Sequence, residues 1–393
     1  MLRTVRVSVA IICFSLISLL FLDFTGTLHV WFGWLAKIQF LPALLALNVG
    51  VILSLLLLTL LFGRIYCSVI CPLGVFQDII AWFGKRGKKL PYTYSRALSW
   101  LRYGILIVFI IAVLAGVGSF VALLAPYSSY GRIISNLFAP LYQLGNNMFA
   151  YLAERAESYA FYEVDVWVKS LSTFIIALIT FGVLVLLAWR NGRTYCNTIC
   201  PVGTFLGIIA KYSLFKPVID VSKCNSCGLC ARHCKAACID SKKHKIDYSR
   251  CVVCLDCLDK CRHGAIKYMR RSAVKDKISS PVVTQDQIDS ARRNFLSVSA
   301  LFAATTVIKA QEKKVDGGLA VIEDKKIPNR VVALTPPGSL SVRNFAKHCT
   351  ACQLCVSVCP NQVLRPSGSL MTLMQPEMSY ERGYCRPECT KCS

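Results

Sequence analysis

One short stretch occurs twice, and it limits the architecture more than any other feature of the chain. Gly63-Arg-Ile-Tyr-Cys67-Ser-Val-Ile-Cys71-Pro72-Leu-Gly74-Val-Phe76 returns as Gly192-Arg-Thr-Tyr-Cys196-Asn-Thr-Ile-Cys200-Pro201-Val-Gly203-Thr-Phe205, and both copies run on to Ile-Ile-Ala at 79–81 and 208–210. Each copy follows an apolar stretch. Such a repeat predicts two halves of the same design, related by a pseudo-twofold axis.

The apolar stretches set the solvent. Four are long enough, or nearly so, to cross a bilayer: Val7–Leu22, Ile38–Phe62, Tyr103–Pro126 and Leu171–Trp189. A 55% apolar composition over 393 residues is too high for a soluble chain of this length. The fold class expected is a multi-pass α-helical membrane domain of two pseudo-symmetric hairpins, with small α+β cysteine-rich domains appended. Lys and Arg gather at the N-terminus and between the second and third stretches, at Arg3, Arg6, Arg64, Lys85, Arg86, Lys88, Lys89 and Arg96. The positive-inside rule therefore places these segments, and the chain after Trp189, in the cytoplasm. The formal charge of +24 belongs to this bias, and to cysteines counted as neutral that would be thiolates on a metal. Nucleic acid is not expected as a partner, whereas membrane lipid is. After Pro72 the residues Phe76, Ile79, Ile80 and Phe83 predict an amphipathic helix on the membrane surface.

Of 21 cysteines, only Cys13 and Cys238 lie outside a regular spacing. Cys224-x2-Cys227-x2-Cys230-x3-Cys234 is followed by Cys251-x2-Cys254-x2-Cys257-x3-Cys261. This is the bacterial ferredoxin spacing twice over, in which the fourth cysteine of each run serves the other run's cluster. Cys224, Cys227, Cys230 and Cys261 would take one [4Fe–4S] cluster, and Cys251, Cys254, Cys257 and Cys234 the other. Zinc motifs space their cysteine pairs differently. Lys235 and Arg262 replace the usual proline after the fourth cysteine, and Cys238 competes with Cys234 as a ligand.

A third run, Cys349-x2-Cys352-x2-Cys355-x3-Cys359-Pro360, is followed by Cys385-x3-Cys389-x2-Cys392. Crossed ligation completes one cluster on Cys385, Cys389, Cys392 and Cys359. The trio Cys349, Cys352 and Cys355 lacks a fourth cysteine, so this part carries one cluster or two. A chain cut short, a three-iron cluster or a solvent ligand would each account for it. Cys67, Cys71, Cys196 and Cys200 are a different signal. A spacing of four puts both thiols of a pair on one helix face, and the repeat can bring the pairs together. Four such thiols suit a soft metal, a further cluster or a redox-active dithiol; small buried residues at helix ends are the plain alternative. The histidines His29, His233, His244, His263 and His348 all lie outside the apolar stretches, so haem is not expected. Phosphate-cradling glycine loops and nucleophile elbows are absent from the sequence, so the chain reads as an electron-transfer component rather than a stand-alone catalyst.

Four parts are expected: a membrane domain over 1–215, a two-cluster ferredoxin over 216–275, a linker over 276–340, and an incomplete second ferredoxin over 341–393. Within the linker, Arg292-Arg293-Asn-Phe295-Leu296 and an apolar run to 308 resemble a twin-arginine export signal. Export would place the second ferredoxin outside and leave the first inside.

Paired Tyr-Cys-x3-Cys-Pro motifs followed by two ferredoxin runs resemble the NapH-type membrane ferredoxins over residues 1–270. The same core is found in the NosR regulators and the CcoG assembly factors. From Arg292 onward the chain is similar to exported NapG-type ferredoxins. The resemblance implies a bacterial inner-membrane protein that takes electrons from the quinol pool, or from a cytoplasmic donor, to an extracytoplasmic redox partner. A copper reductase of the CcoG kind and a NosR-like redox regulator are the alternatives it leaves.

Overall fold

The computed structural model describes residues 2–23, 25–86, 92–156, 161–270, 334–370, 372–381, 383–386 and 388–392. The twin-arginine segment lies outside them.

Among the described residues, two helices are long and apolar enough to cross a membrane, α1 (Leu2–Leu22) and a later one at Leu171–Asn191. At 21 residues each, they measure about 30 Å, the thickness of a bilayer's hydrocarbon core. α1 starts five residues earlier than the sequence suggests, because Arg6 is not a boundary charge. Arg6 is buried, and its guanidinium donates to the Ser68 carbonyl at 3.2 Å and to Asp78 at 3.4 Å. The two middle stretches are broken rather than continuous. The second divides into Phe40–Leu45 and α2 (Val49–Phe62), where Asn48 caps the new helix by accepting from the Val51 N–H at 3.3 Å. After α3 (Pro72–Arg86), the third divides into α4 (Ser99–Ala115) and Gly118–Leu124, because Gly116 closes α4 in a left-handed conformation at φ 74°. α5 (Pro126–Ile133), entirely buried, precedes a π-helical turn over Ile134–Phe138. The long helix Leu171–Asn191 is α6, and α7 (Pro201–Ala210) ends the helical part.

The halves interlock. α3, which follows the first Cys-x3-Cys-Pro, packs between α1 and α6. α7, which follows the second, packs between α4 and α2. Each post-proline helix thus lies against the first long helix of its own half and the second of the other. This corrects the expected surface helix: Leu73, Gln77 and Ala81 of α3 are 0% exposed, and Phe76 packs on Tyr130 and Phe181. Trp82 and Phe83 emerge. Proline at the start explains how each helix begins inside the protein. Its missing N–H is one that a first helical turn leaves unpaired anyway.

Two small cysteine-rich units stand at opposite ends of the helices. The first pairs β1 (Phe215–Ile219) antiparallel with β4 (Ile266–Arg270), enclosing the short ladder of β2 (Ile239–Asp240) and β3 (Lys245–Ile246). The second carries β5 (Leu364–Pro366) against β6 (Pro376–Met378). Arg3 at the start of α1 binds Asp256 of the first unit at 2.7 Å, while Lys391 of the second donates to the Thr25 carbonyl, just past the end of α1, at 2.8 Å. α6 runs the other way. Lys169, before its start, donates to Val356 of the second unit at 2.8 Å, and Arg193, after its end, donates its backbone N–H to the Lys235 carbonyl at 2.9 Å.

Candidate metal centres

Three cysteine runs share one backbone signature. The residues flanking the second cysteine have positive φ in each: Ser226 and Gly228, Val253 and Leu255, Ala351 and Gln353. The third residue after the fourth cysteine does too, at Ala237, Gly264 and Gln362. A left-handed conformation costs a non-glycine residue about 1–2 kcal/mol, more for a branched one such as Val253. Paying it repeatedly turns the chain around an enclosed space, with amide groups facing sulfur, as in the Ala351 N–H to Cys349 Sγ contact at 3.4 Å. The missing prolines after Cys234 and Cys261 do not disturb this path.

The cysteines gather as crossed sets. Cys224, Cys227, Cys230 and Cys261 line one small cavity. Cys251, Cys254, Cys257 and Cys234 line another, joined by Cys238. Cys359, Cys385, Cys389 and Cys392 line a third in the second unit. Among the described residues, no three side chains of His, Cys, Asp or Glu converge on a point that could hold a single ion. A tetrahedral zinc would need sulfurs about 2.3 Å from one centre, so sulfurs spread around a cavity fit a larger group. Cys238 sits 3.5 Å from Cys234 Sγ and is only 1% exposed. The bond from Cys238 draws the Cys234 thiol down, against burial that raises it. Burial pushes Cys254 and Cys349 up to about 12, so as free thiols they would stay protonated, and only a cationic metal would keep them as thiolates.

Cys67, Cys71 and Cys200 lie within one core and Cys196 is buried as well, none of the four more than 4% exposed. The repeat brings them together reciprocally. Arg64 of the first copy donates to the Cys196 carbonyl of the second at 3.1 Å, and Arg193 of the second donates to the Cys67 carbonyl of the first at 2.5 Å. Gln77 Nε2 reaches Cys196 Sγ at 3.3 Å, and the Gly203 N–H reaches Cys200 Sγ at 3.3 Å. Gly74 and Gly203 make the close packing possible: a Cβ there would lie 2.1 Å from the Cys67 carbonyl oxygen and 2.4 Å from that of Cys196.

A buried ion network joins this core to the first unit. Arg193 makes two bonds to Asp78, at 2.9 and 2.7 Å, while Lys235 bridges Asp78 at 3.5 Å and Asp256 at 3.1 Å. Burial pushes the Asp78 carboxyl up, but Arg193, Lys235 and Arg6 outweigh it and hold the group well below the usual carboxylate range. Arg64 is fully buried yet bonds no carboxylate among the described residues: its partners are Asn197 Oδ1 at 2.9 Å, the Ser249 carbonyl at 3.1 Å, the Cys196 carbonyl and, at 4.0 Å, Cys67 Sγ. The second unit docks more simply. Asn136 donates to Gln353 Oε1 at 2.8 Å, Trp167 bonds Gln362, and the backbone at Cys352 lies so close to Gly131 that a Cβ there would come within 2.4 Å of its carbonyl oxygen.

Arg64, Arg193, Gln77, Asp78 and Lys235 carry much of this arrangement, and charge counting in the sequence misassigned or passed over all of them. Arg64 reads there as a topogenic loop charge, and Lys235 as a departure from the ferredoxin spacing. The signal that marks the arginines is the repeated Gly-Arg that opens each copy.

The family described as a 4Fe-4S binding domain matches residues 44–91 and 173–221. These stretches contain both Cys-x3-Cys-Pro pairs and none of the ferredoxin runs. Ferredoxin-type protein NapH of Haemophilus influenzae is 28% identical over 241 residues, 59% of this chain and 70% of NapH. Regulatory protein NosR of Stutzerimonas stutzeri is 24% identical over 50% of the chain and 23% of its own length. Pyruvate synthase subunit PorD of Methanothermobacter marburgensis is 45% identical over 60 residues, 15% of this chain and 73% of PorD. No solved structure matches. Cysteine-lined cavities on a ferredoxin backbone, with these relatives, define an iron–sulfur electron-transfer protein. Within that class the chain is similar to the NapH- and NosR-type proteins over somewhat more than half of its length.

Proposed function

We propose that the chain carries electrons across a bacterial inner membrane, from quinol or a cytoplasmic donor to an extracytoplasmic acceptor, with the first cysteine unit inside and the second outside. The observation that carries this reading is the placement of cysteine sites at both ends of α1 and α6, with four buried thiols in the core between. Cys224, Cys227, Cys230 and Cys261 would hold one [4Fe–4S] cluster, and Cys251, Cys254, Cys257 and Cys234 a second. Cys359, Cys385, Cys389 and Cys392 would hold another. Bound there, such clusters supply reversible one-electron chemistry. The protein's own part is to bury the thiolates, present amide N–H groups to them and keep the sites in line.

The four repeat thiols are assigned a further metal centre. Arg64 lacks a carboxylate, and a buried cation needs a counter-charge; deprotonated thiols beside it supply one. Four sulfurs without an oxygen ligand also suit a soft cation such as Cu(I). Copper retained by the purified chain but lost from the Cys67→Ser/Cys196→Ser variant would move the assignment towards a copper reductase. For the lipid-soluble donor, the supporting feature is an apolar groove of about 1500 Å³ lined by Phe21, Phe138, Phe174, Leu178, Phe181 and Ser135. The π-helical turn lies on this groove, and the buried Ser135 hydroxyl has no hydrogen-bond partner. Ser357, between Cys355 and Cys359, forms part of its wall.

The test is to purify the full chain anaerobically, count iron and acid-labile sulfide, and add a reduced short-chain quinol. About twelve or more irons per chain with matching sulfide are expected, with a paramagnetic cluster signal on quinol addition. Bound zinc without sulfide would overturn the cluster assignment. Clusters reduced by a soluble donor but never by quinol would overturn the quinol.

A further inference from the structure

An open cavity of about 900 Å³ lies where α6 ends against the first cysteine unit and the segment 92–98. Among the described residues its charged lining is entirely basic: Arg96, Arg190, Lys235 and Arg250, with no Asp or Glu in the wall. Neutral donors, among them Ser95, Asn191 and Thr194, fill much of the remainder. Lys235 and Arg250 are already engaged by carboxylates, Lys235 by Asp78 and Asp256, Arg250 by Asp247 at 2.8 Å. Arg96 and Arg190 are exposed and bonded to no carboxylate among the described residues. Arg250 is 4% exposed, and its Nη2 is buried without a hydrogen-bond partner, although Nε binds Asp247 and Nη1 reaches Ser95 Oγ at 3.4 Å. A buried guanidinium donor left unbonded costs free energy, and here it belongs to a residue lining a basic cavity.

We propose that this cavity binds the phosphate headgroup of an anionic phospholipid. The position favours a lipid over a soluble anion. Trp189 and Arg190 lie at the end of an apolar helix of bilayer length and both line the cavity. Tryptophan and arginine there mark the level of the headgroups, and basic pockets between helices on the cytoplasmic side take anionic headgroups. Acyl chains would run along the exposed apolar face of α6, where Leu186, Val183 and Ile179 are uncovered. The site also touches the redox part of the molecule. Ala236 forms wall in both this cavity and the one lined by Cys234, Cys251, Cys254 and Cys257.

The test uses the full chain, purified in mild detergent and stripped of lipid. It is titrated separately with phosphatidylglycerol, phosphatidylcholine and inorganic phosphate, and adducts are counted by native mass spectrometry. Phosphatidylglycerol should saturate at one molecule per chain, with phosphatidylcholine and inorganic phosphate far weaker. The Arg96→Gln/Arg190→Gln variant, which touches two exposed side chains and no cysteine, should keep its iron and weaken phosphatidylglycerol on the order of tenfold or more. Arg250→Gln is a second probe, read only in protein whose iron content is unchanged. Inorganic phosphate binding as tightly, with the same arginine dependence, would overturn the lipid in favour of a soluble anion. Phosphatidylglycerol binding that ignores all three arginines would overturn the site.

Discussion

Asp78 is the residue on which the union of helices and first cysteine unit depends most. It is the one carboxylate that Arg193, Lys235 and Arg6 share. Removing one partner of a buried pair leaves the others uncompensated, at about 3–5 kcal/mol. Asp78→Asn should therefore lower the unfolding midpoint sharply, while Asp259→Asn, at an exposed partner of Arg3, should leave it nearly unchanged. Equal midpoints for the two variants would remove Asp78 from this role. The pH dependence has a definite sign. The folded carboxyl is held below its unfolded value, so its contribution is complete above about pH 4. It is lost only as pH falls further, through the depressed folded value. Docking of the first unit, followed by proteolysis of detergent-solubilised protein, should therefore persist at pH 5. Release between pH 7 and 5 would contradict this.

The repeat glycines make a second test at this scale. Gly74→Ala and Gly203→Ala each drive a methyl group into a carbonyl of the Cys-x3-Cys turn, whereas a Cβ on Gly104 meets nothing within 4 Å. Both repeat variants should lose more than about 1–3 kcal/mol, and by similar amounts if the halves are equivalent. Gly104→Ala should be neutral or slightly stabilising. Thermal unfolding of the three variants side by side decides it. A tolerated Gly74→Ala would mean that the turn can open.

Among the elements, the cysteine runs were the most legible part of the sequence. Their spacing is local, and local spacing fixes which loops can wrap a common space. Cys238→Ala tests the one ambiguity. Cys234 keeps the ferredoxin interval, so the variant should retain the iron and sulfide of the intact protein, while Cys234→Ala should lose about one cluster's worth. The reverse pattern would make Cys238 the ligand. The helices were legible in type but not in arrangement. Apolar runs over 38–62 and 103–126 look continuous because hydropathy does not register an Asn cap at 48 or a left-handed Gly at 116. The helix after Pro72 looked like a surface helix because Phe76, Ile79, Ile80 and Phe83 share one stripe. Its burial comes from the other half of the repeat, on α6, more than a hundred residues away. Burial of Arg64, Arg193 and Arg132 was hidden for the same reason. A basic residue at the end of an apolar stretch carries no mark of whether water or a carbonyl will meet it. Arg132 meets the Ala122 carbonyl at 2.6 Å and is fully buried.

At the scale of the molecule, the account rests on polarity from end to end. α1, α4 and α6 each touch one cysteine unit at one end and the other unit at the opposite end. For α4, Arg102 near its start reaches Ser249 at 3.2 Å, and Ser119, just beyond its end, donates to the Leu370 carbonyl at 2.8 Å. If these helices cross the membrane, the two units occupy different compartments. The most direct measurement fuses a reporter active only outside the cytoplasm after residue 340, and one active only inside after residue 275, in otherwise intact chains. Activity of both, each in its own compartment, is the predicted result. A fusion after residue 340 that is silent outside and active inside would put both units on the cytoplasmic face, and the protein could not carry electrons across.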